Sequence, residues 1–128
     1  MCHVCHLSTA GSVDIIRWAK KRGVNVTAEV TPHHLLLTDE LVRDYDARYK
    51  VNPPLRREED VLAVREGLAD GTIDIVATDH APHPAEAKAC EWHAAANGMV
   101  GLESALRVVQ QAMVDTGLIT WGDVARIM

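Results

Sequence analysis

Ile73-Asp74-Ile75-Val76-Ala77-Thr78-Asp79-His80-Ala81-Pro82-His83 is the stretch on which the reading of this chain turns. Four of its first five residues are apolar and three are β-branched, the signature of a short strand. The strand runs into the carboxylate of Asp79, and the imidazole of His83 follows four residues later. A carboxylate at the end of a buried strand is costly unless it is paired or bound. Set among histidines, it offers the nitrogen and oxygen donors that hold metals and move protons.

Working outward, Glu58 to Ala69 reads as a helix with Val61, Val64 and Leu68 on one side, ended by Asp70-Gly71. Upstream, Val24 to Val30 alternates with period two and reads as a strand, which Thr31-Pro32-His33-His34 breaks. Before it, Ser12, Ile15, Ile16 and Ala19 recur at helical spacing, and Lys20-Lys21-Arg22 with Gly23 mark a solvated helix end. Cys2 to Leu7 reads as the first strand, with Cys2 and Cys5 as small residues of a buried strand. A short helix is expected over Asp39 to Asp44, whereas Val51-Asn52-Pro53-Pro54-Leu55 must be extended because of its prolines. Pro82 to Gly98 reads as irregular. Leu102, Ala105, Leu106, Val109, Ala112 and Met113 predict an amphipathic helix packed on the sheet by this stripe. Thr120, with Asp123 three residues on, opens a last helix.

Strands alternating with helices define an α/β chain of parallel β-α units. Three strands are few for a parallel sheet that needs cover on both faces. The expected architecture is therefore the C-terminal part of a larger α/β barrel or sheet. No Gly-x-Gly-x-x-Gly and no Walker-type Gly-Lys-Ser/Thr is present, so nucleotide-binding folds lose support.

Composition bounds the partners. A net charge of −5, with no basic run, argues against nucleic acid and anionic membranes. No apolar run approaches the ~20 residues that span a bilayer. Three cysteines do not make a disulfide framework. A reduced, cytoplasmic setting is the expectation. Phe is absent, so the core must be aliphatic.

In a parallel barrel, catalytic groups gather at the C-terminal ends of different strands. Here His6 follows the first strand, His33 and His34 the second, and Asp79, His80 and His83 the third. Each strand thus delivers ligand-capable residues to one rim.

Four segments carry a family resemblance: His3-Val4-Cys5-His6-Leu7-Ser8-Thr9, Thr31-Pro32-His33-His34-Leu35-Leu36-Leu37-Thr38, Lys50-Val51-Asn52-Pro53-Pro54-Leu55-Arg56 and Ala77-Thr78-Asp79-His80-Ala81-Pro82-His83. In this order they resemble successive motifs of the bacterial-type dihydroorotases of the amidohydrolase superfamily. Gly98 to Glu103 is similar to the family's later glycine-rich loop, but Ala96-Asn97-Gly98 stands where Pro-Phe-Gly is common. The resemblance implies an amidohydrolase-type TIM barrel, of which residues 1–128 would supply strands six to eight, a partial domain truncated at both ends. It implies His6 as a metal ligand, Asp79 as metal ligand and catalytic proton carrier, and Asn52 and His83 as substrate contacts. Neither His33 nor His34 is implied as a ligand. It implies zinc, two ions in the complete enzyme, and reversible hydrolysis of L-dihydroorotate to N-carbamoyl-L-aspartate in pyrimidine biosynthesis. Self-association or association with aspartate transcarbamoylase is the implied assembly. The family's His-x-His-x-Arg motif, bridging carboxylate and further histidine ligand do not occur in these residues, so the segment alone is expected to be inactive and to fold poorly.

Rival readings are a dihydropyrimidinase or allantoinase, which also open cyclic amides, and a non-catalytic dihydroorotase-like scaffold subunit. Cys2-His3-Val4-Cys5-His6 matches the c-type haem pattern literally. It lies in a strand-like run and lacks an export signal, which argues against haem. As half of a zinc site it lacks partners, because Cys90 stands alone.

Overall fold

A computed structural model describes residues 1–128. Three parallel strands form the sheet: β1 (Cys2–Val4), β2 (Val26–Val30) and β3 (Ile75–Val76), in the order β1-β2-β3. Cys2 pairs with Val26 and Val4 with Ala28, while Glu29 pairs with Ile75 and Val30 with Val76. Helices α1 (Ala10–Lys21) and α3 (Glu58–Ala69) make the crossovers, with the short α2 (Pro32–Leu36) directly after β2. The chain closes with α4 (Ala85–Lys88), α5 (Ala105–Val109), a π-helical turn over Gln110–Val114, and α6 (Trp121–Ile127).

The two crossover helices start and stop where their sequences specify. Thr9 caps α1 by accepting the Ser12 N–H at 3.2 Å, and Asp60 at the start of α3 accepts the Ala10 N–H at 2.8 Å. Gly23 then leaves α1 at φ +76°. On α3, Glu58, Glu59 and Asp60 occupy the first turn, where the helix dipole favours acids. The two helices pack closely at Gly67, where an added Cβ would lie 2.7 Å from Val13 Cγ1. Lys20 ties α1 to the sheet. Its ammonium donates to both Asp74 oxygens at 2.8 and 2.7 Å, and Asp74 also accepts the Ala28 N–H. This lysine is half-buried and paired rather than solvated.

The sheet has two unlike faces. Ala28, Val30 and Val76 lie in one core with Val13, Ile16, Val64, Leu68 and Met113, and Val4 packs against it. His3, Thr27 and Glu29 hydrogen-bond to one another on the other side.

Several expectations change. β1 stops at Val4, and Cys2 and Cys5 are exposed in the 128 residues described. β2 does not alternate in burial: Ala28, Glu29 and Val30 are all buried, as befits a central parallel strand. The segment after Thr38 is a 3-10 turn over Asp39–Val42. The stripe beginning at Leu102 divides: Ala105, Val109, Ala112 and Met113 are buried, but Leu102 and Leu106 are 64% and 53% exposed. Residues 102–104 are a turn, and the wider π turn departs from the 3.6-residue period used to predict one continuous helix. No helix is long and apolar enough to cross a membrane.

Candidate metal centre

The ends of all three strands meet at Asp79. Its Oδ1 lies 3.7 Å from His6 Nε2, and its Oδ2 lies 3.8 Å from His33 Nε2. Both separations exceed a hydrogen bond. Each is short enough for one ion with bonds of about 2.1 Å to span. His33 Nε2 is buried and has no hydrogen-bond partner, an orphaned polar atom aimed at the carboxylate. Imidazole nitrogens facing a carboxylate are a donor set that suits zinc. The residues therefore fit a metal held by His6 and Asp79.

Backbone conformation aims these groups. Continuing the alternation of β1 would turn His6 to the same side as Val4, towards the helices. Instead His6 takes φ +56°, and its ring reaches Asp79. Asp79 itself sits at φ +45°. Left-handed backbone at non-glycine residues costs energy and clusters at functional sites. The chain rejoins β2 immediately afterwards, where the Leu7 N–H donates to the Glu29 carbonyl at 2.9 Å.

His33 and His34 stand on α2, opened by Thr31 as N-cap with Pro32 in the first turn. Burial, reinforced by the neighbouring His34 and His6, lowers the His33 pKa to about 3, so this imidazole is neutral at pH 7. His34 is also lowered, chiefly by burial. Its Nε2 donates to the Pro53 carbonyl at 3.0 Å, and its Nδ1 lies 2.7 Å from Thr31 Oγ1. His34 thereby fastens the Asn52-Pro53 loop beneath the site.

The remaining candidates lie on two loops tied together. Lys50 donates to the carbonyls of Trp92, His93 and Ala95, and Lys88 to those of Ala47, Lys50 and Ala96. Burial and the nearby Lys50 lower the Lys88 pKa. Asn52 is exposed on the first loop. His83 is exposed on the second, with Nε2 donating to the Asn97 carbonyl at 2.9 Å. Neither makes a hydrogen bond to His6 or Asp79. The later glycine-rich loop is held close: a Cβ on Gly101 would collide with the Thr78 carbonyl, one residue before Asp79. His80 Nδ1 accepts the Gly101 and Leu102 N–H groups, each at 3.1 Å.

Sequence reasoning missed Glu29. This buried acid places Oε1 2.8 Å from His6 Nδ1 and Oε2 2.9 Å from His3 Nε2. The available signal was an acid between Ala28 and Val30 in a segment read as a strand. His3, Cys5 and Glu29 also bring one ligand atom each within 4.8 Å of one another. Both His3 nitrogens already have hydrogen-bond partners, so this group is better satisfied than a vacant metal site would be.

The fold matches part of that of amidohydrolase-type enzymes, as two solved structures show. The L-hydantoinase (dihydropyrimidinase) of Arthrobacter aurescens aligns at TM-score 0.90 and 31% identity, and the dihydropyrimidinase of Brevibacillus agri at 0.90 and 26%. Each match covers 98% of this chain and 29% of the other. No family model matches the chain. Curated relatives are closer in sequence. The chain is 79% identical over 126 residues to the dihydroorotase of Leifsonia xyli, 77% over 123 residues to that of Streptomyces coelicolor, and 56% over 126 residues to that of Mycobacterium tuberculosis. By sequence it is similar to these dihydroorotases, and it spans about 29% of their length.

Proposed function

We propose that residues 1–128 are strands six to eight, with their helices, of the TIM barrel of a zinc-dependent dihydroorotase. In this reading the complete enzyme hydrolyses L-dihydroorotate reversibly to N-carbamoyl-L-aspartate in the cytoplasmic synthesis of pyrimidines. The observation that carries it is the convergence of His6 and His33 on Asp79 in a chain 79% identical to a named dihydroorotase. The face bearing His3, Cys5 and Ile75, open here, would line the barrel interior.

His6 and Asp79 are the residues that would hold zinc. When bound, zinc supplies a Lewis acid and a water activated at neutral pH. Asp79 accepts a proton from the attacking water and returns it to the ring nitrogen as the cyclic amide C–N bond breaks. His33, neutral and facing Oδ2, leaves that carboxylate free to carry the proton. Asn52 and His83 bind the substrate from the two loops that Lys50 and Lys88 join. The assembly is a homo-oligomer or an association with aspartate transcarbamoylase.

A second reading, a dihydropyrimidinase-type amidase, draws support from the structural match to Arthrobacter aurescens hydantoinase, though at 31% identity against 79%. The two separate on substrate. Residues 1–128 are placed in frame in the Leifsonia xyli dihydroorotase, replacing the segment they match, and the complete enzyme is assayed with dihydroorotate, hydantoin and allantoin. Turnover of dihydroorotate alone is expected. A preference for hydantoin would favour the second reading and displace the first.

A further inference from the structure

We infer that Glu29 is a positioning residue that fixes the proton of His6 on Nδ1 and so keeps Nε2 bare towards Asp79. The inference deepens the proposal above and rests on its assignment of His6 as a metal ligand.

Four side chains lie in a row across β1 and β2. Thr27 Oγ1 is 2.8 Å from His3 Nδ1, His3 Nε2 is 2.9 Å from Glu29 Oε2, and Glu29 Oε1 is 2.8 Å from His6 Nδ1. The register makes this row: His3 pairs with Thr27, and Glu29 follows two residues later on the same face. An ionised carboxylate only accepts hydrogen bonds. His3 Nε2–H therefore donates to it, and His6 Nδ1, 2.8 Å from Oε1, is placed to donate as well. Thr27 in turn donates its hydroxyl proton to His3 Nδ1. The result for neutral His6 is a lone pair on Nε2, the atom that faces Asp79 at 3.7 Å.

The anchoring is uneven in a telling way. Glu29 is held by His3 in a well-formed bond, whereas the His6 Nδ1–H lies off the line to Oε1 and counts as unpartnered despite the short distance. A carboxylate behind a ligating histidine fixes its tautomer and orientation and raises its basicity, and losing such a partner costs about 10–100-fold in metal affinity. The row Thr27–His3–Glu29 thus gives His6 a fixed support from the strand beside it.

The test reads the tautomer first. In the complete enzyme described above, freed of metal and labelled with ¹⁵N-histidine, long-range ¹H–¹⁵N correlation spectra at neutral pH report which ring nitrogen of His6 carries the proton. Nδ1–H is expected. Nε2–H, or the mixture typical of free histidine, overturns the inference without any variant being needed. Glu29→Gln leaves one acceptor oxygen for two imidazoles, so His3 or His6 must reverse its tautomer; neither changing overturns the inference. In the complete enzyme described above, zinc affinity is then measured by competition with a chromophoric chelator. Glu29→Gln is expected to bind zinc about 10–100-fold more weakly. Unchanged affinity contradicts the role. The tautomer result is independent of substrate, so failure of the dihydroorotate assay and failure of this inference are told apart.

Discussion

The two faces of the sheet are built from alternate residues of the same short strands, yet they do opposite work. Val4, Ala28, Val30 and Val76 face α1, α3 and the π turn and join a core that includes Leu68, Ile73 and Met113. His3, Thr27 and Glu29 face the other way and form a polar row that leads to His6 and Asp79. A one-residue slip of β2 would exchange the two sets. The polar row therefore depends on the apolar face to hold its register, and stability and chemistry are carried by different sides of one element.

The contrast can be broken from the apolar side. Leu68 is fully buried between α3 and the sheet. Leu68→Ala is expected to cost about 3 kcal/mol, from lost burial and the cavity left behind. Urea unfolding measures it, and a loss below ~1 kcal/mol would show that this side is not the stabilising one.

The polar side makes a smaller, pH-dependent contribution. His33 has a folded-state pKa of about 3 against an ordinary 6.5, and His34 is lowered in the same direction. Below about pH 6.5 the unfolded chain takes up protons that the folded chain refuses. For His33, stability is therefore complete above that pH and falls as the pH drops towards 3, by roughly 1.4 kcal/mol per pH unit. Between pH 7 and pH 5 a loss of roughly 2 kcal/mol is expected. His33→Asn should flatten the profile. An unchanged profile would show that His33 is not the group responsible.

Smallest of all is the effect expected at Leu106, which the helical stripe suggested as core but which is 53% exposed. Leu106→Ser should alter stability by no more than ~0.5 kcal/mol. A loss near that of Leu68→Ala would restore the stripe to the core.

What was legible in the sequence depended on how local its cause was. Helix α3 runs from Glu58 to Ala69 as its periodicity and its acidic first turn require. The α6 cap forms as read, with the Asp123 N–H donating to Thr120 Oγ1 and the Asp123 carboxylate accepting the Thr120 N–H. The approach of His6 to Asp79 was also legible, because parallel strands bring their ends to one rim. Glu29 was not, since its role exists only through the register that sets it between His3 and His6. Leu102 and Leu106 misled because the stripe reads as one continuous helix, whereas residues 102–104 are a turn and α5 is only Ala105–Val109 before the wider π turn.

The account turns on Asp79 as the group that carries the proton. The direct measurement is the turnover of L-dihydroorotate by the complete enzyme carrying Asp79→Asn, with circular dichroism to confirm the fold. Asparagine keeps the shape and removes the basic oxygen, so turnover is predicted to fall by about 10³-fold or more with the fold unchanged. Turnover within a few fold of the unsubstituted enzyme would contradict the account.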